Sequence, residues 1–194
     1  RADNDCRWEY DNFEWNMEHR MSTLELKELS HPTGEVIKIA AGKTLDLKTQ
    51  GSVTMPTGSV LQVVYSSQST AVTSTTNAFS DTGLAATITP TSPSSKILVV
   101  VSVSGIGTSF DNTYCQLNLL RGSTNILSFI KLAGYTATTT MNYVGASASS
   151  MLDTPSTTSA TTYKVQFANG AAAGSVYVQD SAATSTITLM EIQG

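Results

Sequence analysis

From about residue 59 onward, apolar and polar residues alternate in short runs separated by clusters of Gly, Asn, Asp, Ser and Pro. Alternation with a period of two places successive side chains on opposite faces of an extended chain. Val60–Ser66 opens the series, and Leu84–Thr89 alternates until Pro90 and Pro93 close it. Lys96–Ser104, KILVVVSVS, is apolar at both parities and predicts a central strand covered on both faces. Tyr114–Arg121 ends at Arg121-Gly122-Ser123, a turn that predicts a hairpin with Thr124–Lys131. Tyr143–Leu152, Thr161–Ala168, Ser175–Gln179 and Thr184–Ile192 complete the set, with Ala168-Asn169-Gly170 as a further turn. Strands at this spacing, with no convincing helical period among them, predict an antiparallel sandwich or jelly roll over residues 59–194.

Residues 21–58 carry a different pattern. Pairs of apolar residues flanking one polar residue recur every eight positions: Ile37/Ile39, Leu45/Leu47, Val53/Met55 and Leu61/Val63. Gly42, Gly51 and Gly58 fall between the pairs, where glycine permits turns. A repeat this short cannot build a core alone, and it leaves a narrow apolar edge that the same chain does not cover. Three copies wound about one axis would cover it, with each layer of three side chains contributing several kcal/mol, at about 1.5–3 kcal/mol per buried Leu or Ile. Glu35–Gly58 is therefore expected to form an intertwined trimeric β stem; ordinary hairpins packed on the head are the alternative. Leu24, Leu26 and Leu29 lie upstream in a strand or a short helical turn, and Ser30-His31-Pro32-Thr33-Gly34 breaks any regular element.

Residues 1–20 differ again. They hold both tryptophans, Trp8 and Trp15, with Tyr10 and Phe13 between them, among acidic and polar residues. Twenty residues cannot bury so many aromatic rings by themselves. An anchor peptide that docks into another protein through Trp8, Tyr10, Phe13 and Trp15 is one reading. A leader ahead of a natural start at Met21 is the other.

Charge and chemistry narrow the function. Charged residues make up 13% of the chain, most of them before Thr49, and the formal net charge is -4. That balance offers no basic stripe for nucleic acid, while the 40% hydrophobic content argues for a folded chain. No stretch reaches the ~18–20 apolar residues of a membrane span, and residues 1–20 lack the apolar core of a secretory signal. A protein released by lysis, or a cytoplasmic one, is expected. His19 and His31 are isolated, and no metal site or cofactor is expected. Cys115 sits in a strand-like run and reads as a buried thiol, whereas Cys6 is either free or paired between chains. No Ser-His-Asp or Cys-His grouping is evident, so no catalytic residues are expected. Asp111 and Asp153 are the one carboxylate pair that could meet in a folded loop. Gly105-Ile106-Gly107 reads as small residues relieving a turn, since no helix pattern follows it as a phosphate loop requires.

A glycine-punctuated stem leading into TGSVLQVV, a long β module and a terminal STITLMEI strand together resemble phage tail-fibre and related virion proteins. The resemblance rests on Thr57–Val64, Pro90–Val103 and Thr184–Ile192, and it implies a trimeric jelly-roll head similar in outline to the C1q and tumour-necrosis-factor folds. It further implies that Val60–Ser66 pairs near Thr184–Ile192 in an inner sheet facing the trimer axis. The expected role is a non-enzymatic phage virion protein on the tail or capsid exterior. It would be a homotrimer held to another virion protein by its N-terminal segment. The loops Gly107–Asn112 and Gly134–Asn142, with Phe110, Asn112, Tyr135 and Asn142, would meet a host-surface glycan or protein. A capsid-decorating or head-fibre protein is the alternative, and an adaptor or collar plug a third.

Overall fold

A computed structural model describes residues 41–42, 55–138, 141–171 and 173–194. The anchor residues Trp8, Tyr10, Phe13 and Trp15, the stem residues Ile37, Ile39, Leu45, Leu47 and Val53, both histidines and Cys6 lie outside the described residues. The chain divides into two compact units, Arg1–Ser52 and Val53–Gly194, and the second holds nearly all of the described residues.

Among the described residues, the second unit is an antiparallel β-sandwich. Its strands are β1 (Val60–Gln68), β2 (Val72–Ser74), β3 (Ser80–Ile88), β4 (Lys96–Thr108), β5 (Cys115–Arg121), β6 (Thr124–Ala133), β7 (Asn142–Asp153), β8 (Thr161–Asn169), β9 (Val176–Val178) and β10 (Ser185–Ile192). The first sheet runs β1-β10-β4-β9-β2, with β7 also paired to β4; the second runs β3-β8-β5-β6. The first and last strands pair as the resemblance implies, from Val60 opposite Ile192 to Gln68 opposite Ser185.

The core lies where the inward parities meet. Ile97, Val99, Val101 and Val103 of β4, with Ile187 and Leu189 of β10, face Leu84 and Ile88 of β3, Leu117 and Leu119 of β5, and Tyr163, Val165 and Phe167 of β8. All are essentially buried, and Cys115 joins them. Burial pushes the Cys115 thiol up to about 12, which makes it an inert hydrophobe, as the sequence suggests.

Several expectations need correction. Among the described residues KILVVVSVS is covered on one face only: Leu98 and Ser102 are half-buried and Val100 is 40% exposed. Its second apolar parity points away from the core and finds no cover in the described chain. Gly105-Ile106-Gly107 is not a turn but the continuation of β4, which extends to Thr108. Gly105, at φ +62°, sits at an irregularity in the pairing with β7, and a side chain there would strike the backbone of Asp180. Gly107 lies under the ring of Tyr177. The first residues of β3, the short β2 and a single 3-10 turn at Asp180–Ala182 carry no alternation that a sequence reading could use.

The two ends of the sandwich differ in chemistry. At the base, where β1 begins and β10 ends, the Gly58 backbone N–H donates to Gln193 O and the Gln193 N–H donates to Ser59 O. Glu191 is fully buried here. Its carboxylate accepts hydrogen bonds from Gln62 Nε2 at 2.6 Å and from the backbone N–H and hydroxyl of Thr91, each at 2.7 Å. Desolvation raises its pKa, but these donors outweigh that and leave it below the usual carboxylate range. The same end holds a second polar bridge. Asp153, at the end of β7, accepts from Tyr163 Oη at 2.6 Å and from Arg121 Nη1 at 2.8 and 2.9 Å, joining the first sheet to the second.

Candidate functional site

Two surfaces of the sandwich carry side chains that the core does not use. The first is the outward face of the first sheet. Register aligns Val63, Met190, Leu98 and Leu152 in one row across β1, β10, β4 and β7. The next row toward the tip is Tyr65, Thr188, Val100 and Ser150. Val63 is 58% exposed, Tyr65 62% and Leu152 52%, although hydrophobic residues of this size normally gain by burial. The third row, Ser67, Thr186, Ser102 and Ala148, is small and polar. The two apolar rows therefore lie toward the base, beside the point where the chain enters β1, and a separate pair of rings, Tyr143 and Tyr177, flanks Gly107 near the tip.

Of the expected stem pairs, the last described one lies in the sandwich itself. Leu61 is half-buried at a pairing irregularity between Val60 and Gln62, and Val63 stands in the apolar row. Met55, ahead of β1, is 42% exposed. Sequence reasoning misses Tyr65, Val100, Leu152 and Met190 as members of this face. The available signal is the double-parity apolar run of β4, which predicts cover on both faces without saying which molecule supplies it.

The second surface is the opposite end, the tip, built by the loops after β4, between β6 and β7, and between β8 and β9. The structure brings together three of the four loop residues singled out from the sequence. The Tyr135 hydroxyl donates to Asn112 Oδ1 at 3.2 Å, and the Asn112 backbone N–H donates to Thr136 O at 2.7 Å. Asn142 Nδ2 donates to Gly134 O at 3.1 Å, which pins the other end of the same loop. Asn112 adopts φ +55°, a left-handed conformation that Asn tolerates better than most residues. Phe110 points elsewhere, against Gly174 of the neighbouring loop, where a side chain would clash with it. Sequence reasoning also misses Tyr114: its ring meets that of Tyr135 edge-on, with centroids 6.2 Å apart, and it closes over Gly170.

Beside this cluster, Tyr143 and Tyr177 pack at 5.9 Å, and Tyr177 donates to Thr108 O. Burial, and then the hydrogen bond with Tyr143, push the Tyr177 phenol up to about 12, so it acts as a neutral donor. Asp111 lies at this tip and Asp153 at the base, at opposite ends of β7; a twelve-residue strand spans roughly 35 Å. They do not form an acid/base couple. Among the described residues no group of three or more His, Cys, Asp or Glu side chains could hold a metal ion.

No protein-family model matches the chain, and no curated protein matches it. Among solved structures, it is similar to the infectious bursal disease virus VP2 subviral particle, at 14% identity and a TM-score of 0.43 over 78% of this chain. A structure of the Gx strain of the same virus gives 14% identity and a TM-score of 0.44 over 78%. The chain spans 37% of the length of each. Likeness at this level carries no functional argument.

Proposed function

We propose that this chain is a non-enzymatic virion structural protein: a trimeric, tail-fibre-like subunit whose sandwich is the displayed head and whose tip loops meet the host surface. The observation that carries the reading is the outward parity of β4 and its neighbours. Leu98 and Val100 continue into Val63, Tyr65, Met190 and Leu152, a contiguous apolar surface on the first sheet with no cover from the described chain. Burying the exposed remainder of such side chains is worth about 1 kcal/mol each, so several per subunit become available on association, before the entropy of docking.

A second copy of the chain is the natural cover, because the patch is largest at the base, directly after the octad repeat that needs covering for the same reason. A closed threefold arrangement lets each sheet face the shared axis while the tips stay free. The absence of a basic stripe and the low charge of the head fit a passive structural component better than a nucleic-acid partner.

Light scattering on the full chain and on a Val100→Asp variant tests this. The full chain is expected to be a trimer that a buried aspartate at Val100 dissociates, with the sandwich still folded. A full chain that is monomeric at tens of micromolar would remove the basis for it.

A further inference from the structure

We infer that the tip cluster around Tyr135 is a binding site for an uncharged glycan. The site rests on the reading of the sandwich as a displayed head, and names the ligand class that its far end would take.

The geometry is that of a rigid aromatic platform with polar amides at its margin. Tyr135 is 51% exposed, yet its hydroxyl is fixed by Asn112 and its ring is braced edge-on by Tyr114. Tyr114 is itself seated over Gly170, where any side chain would collide with it. An exposed ring held from two sides loses little conformational freedom when a ligand lands on it. Around it stand groups of both hydrogen-bonding polarities. The Asn112 amide donates to Asp111 at 3.4 Å, a long contact that a ligand hydroxyl can displace, and Asn142, whose side chain carries both a donor and an acceptor, uses one amide N–H on Gly134. Met141, 53% exposed, adds an apolar side chain to the same loop, directly before Asn142, whereas Phe110 is turned toward Gly174.

Charge selects among ligands. Across residues 105–114, 132–144 and 169–178, Asp111 is the one charged side chain in the sequence. Those segments hold no arginine or lysine to pair with a carboxylate, sulfate or phosphate, and a lone carboxylate would repel them. An apolar ring face beside amides, with no arginine or lysine in the loops themselves, suits a neutral pyranose. The sugar's C–H face stacks on Tyr135 and its hydroxyls bond to Asn112 and Asn142. The tip lies at the end of the sandwich opposite the entry of the chain into β1, so a trimer joined at its base leaves this site open.

The test is binding of the full chain to immobilised neutral oligosaccharides of hexoses and N-acetylhexosamines, with sialylated and sulfated glycans in parallel. Tyr135→Ala and Asn142→Ala are compared with the parent, their folding checked by thermal unfolding and their mass by light scattering. Retention on at least one neutral glycan, weakened tenfold or more by Tyr135→Ala or by Asn142→Ala in a folded trimer, is the expected result. No retention on any neutral glycan, retention only on acidic ones, or retention that neither substitution changes would overturn the inference. Because the mass is read in the same samples, a trimer that binds no sugar overturns the glycan site alone, whereas a monomer overturns the reading beneath it.

Discussion

Replacing Asp153 by Ala should destabilise the sandwich by about 3–5 kcal/mol, the usual cost of breaking a buried, hydrogen-bonded charge pair from one side. Asp153 is 6% exposed and sits between the sheets, accepting from Tyr163 at 2.6 Å and from Arg121 Nη1 at 2.8 and 2.9 Å. Its loss strands the Tyr163 hydroxyl in a residue with no solvent exposure, a desolvation cost of about 1–3 kcal/mol by itself. The rest comes from the charge-assisted bonds to Arg121, discounted because a third of that side chain still reaches water. Tyr163→Phe removes the donor but leaves Asp153 paired with Arg121, so it should cost only about 1–2 kcal/mol. Urea unfolding with an unchanged m-value reads both, and for a unit of this size the larger loss lowers Tm by roughly 8–15 °C. If Asp153→Ala cost less than about 1 kcal/mol, or no more than Tyr163→Phe, the bridge would not be what ties the sheets together at the base.

Three further outcomes are expected from the same geometry. Glu191 has its pKa lowered in the fold, so below its unfolded value, near 4.5, the unfolded chain takes up protons first. The stability it contributes is present in full above about pH 4.5 and lost as pH falls through the folded value; Glu191→Gln should flatten that dependence in an acid titration of Tm. Gly170→Ala places a methyl group in the ring of Tyr114 and should cost about 1–3 kcal/mol, measured as a shift of the urea midpoint. Cys115, fully buried with its thiol pushed up to about 12, should not react with a disulfide reagent near pH 8 in the native state and should react at once in urea.

Much of the sandwich is legible in the sequence because period-two alternation reports directly on a half-buried strand. Val60–Ser66, Tyr114–Arg121, Thr124–Lys131, Tyr143–Leu152 and Thr184–Ile192 all fall within strands or within a residue of them. The turn at Arg121-Gly122-Ser123 forms the expected hairpin, with Arg121 opposite Thr124. Alternation is silent where a strand passes over a bulge, and so Gly105-Ile106-Gly107 reads as a turn although β4 continues through it under Asp180 and Tyr177. The run KILVVVSVS cannot be read correctly from one chain. Apolar residues at both parities mean cover on both faces, but not whether the second cover comes from the same molecule.

The tip is legible only as residue types in loops. That Tyr135 leans on Asn112, and Phe110 turns away toward Gly174, depends on three loops separated in sequence but meeting at one end of the sandwich. Tyr114 escapes notice because it stands at the head of a strand, where an aromatic residue needs no special explanation.

The most direct test of the trimeric head is sedimentation equilibrium on the full chain across a wide range of concentration. A single species of three times the chain mass is the predicted result. A mass equal to one chain throughout that range would contradict it, and the apolar rows on the first sheet would then need a different partner.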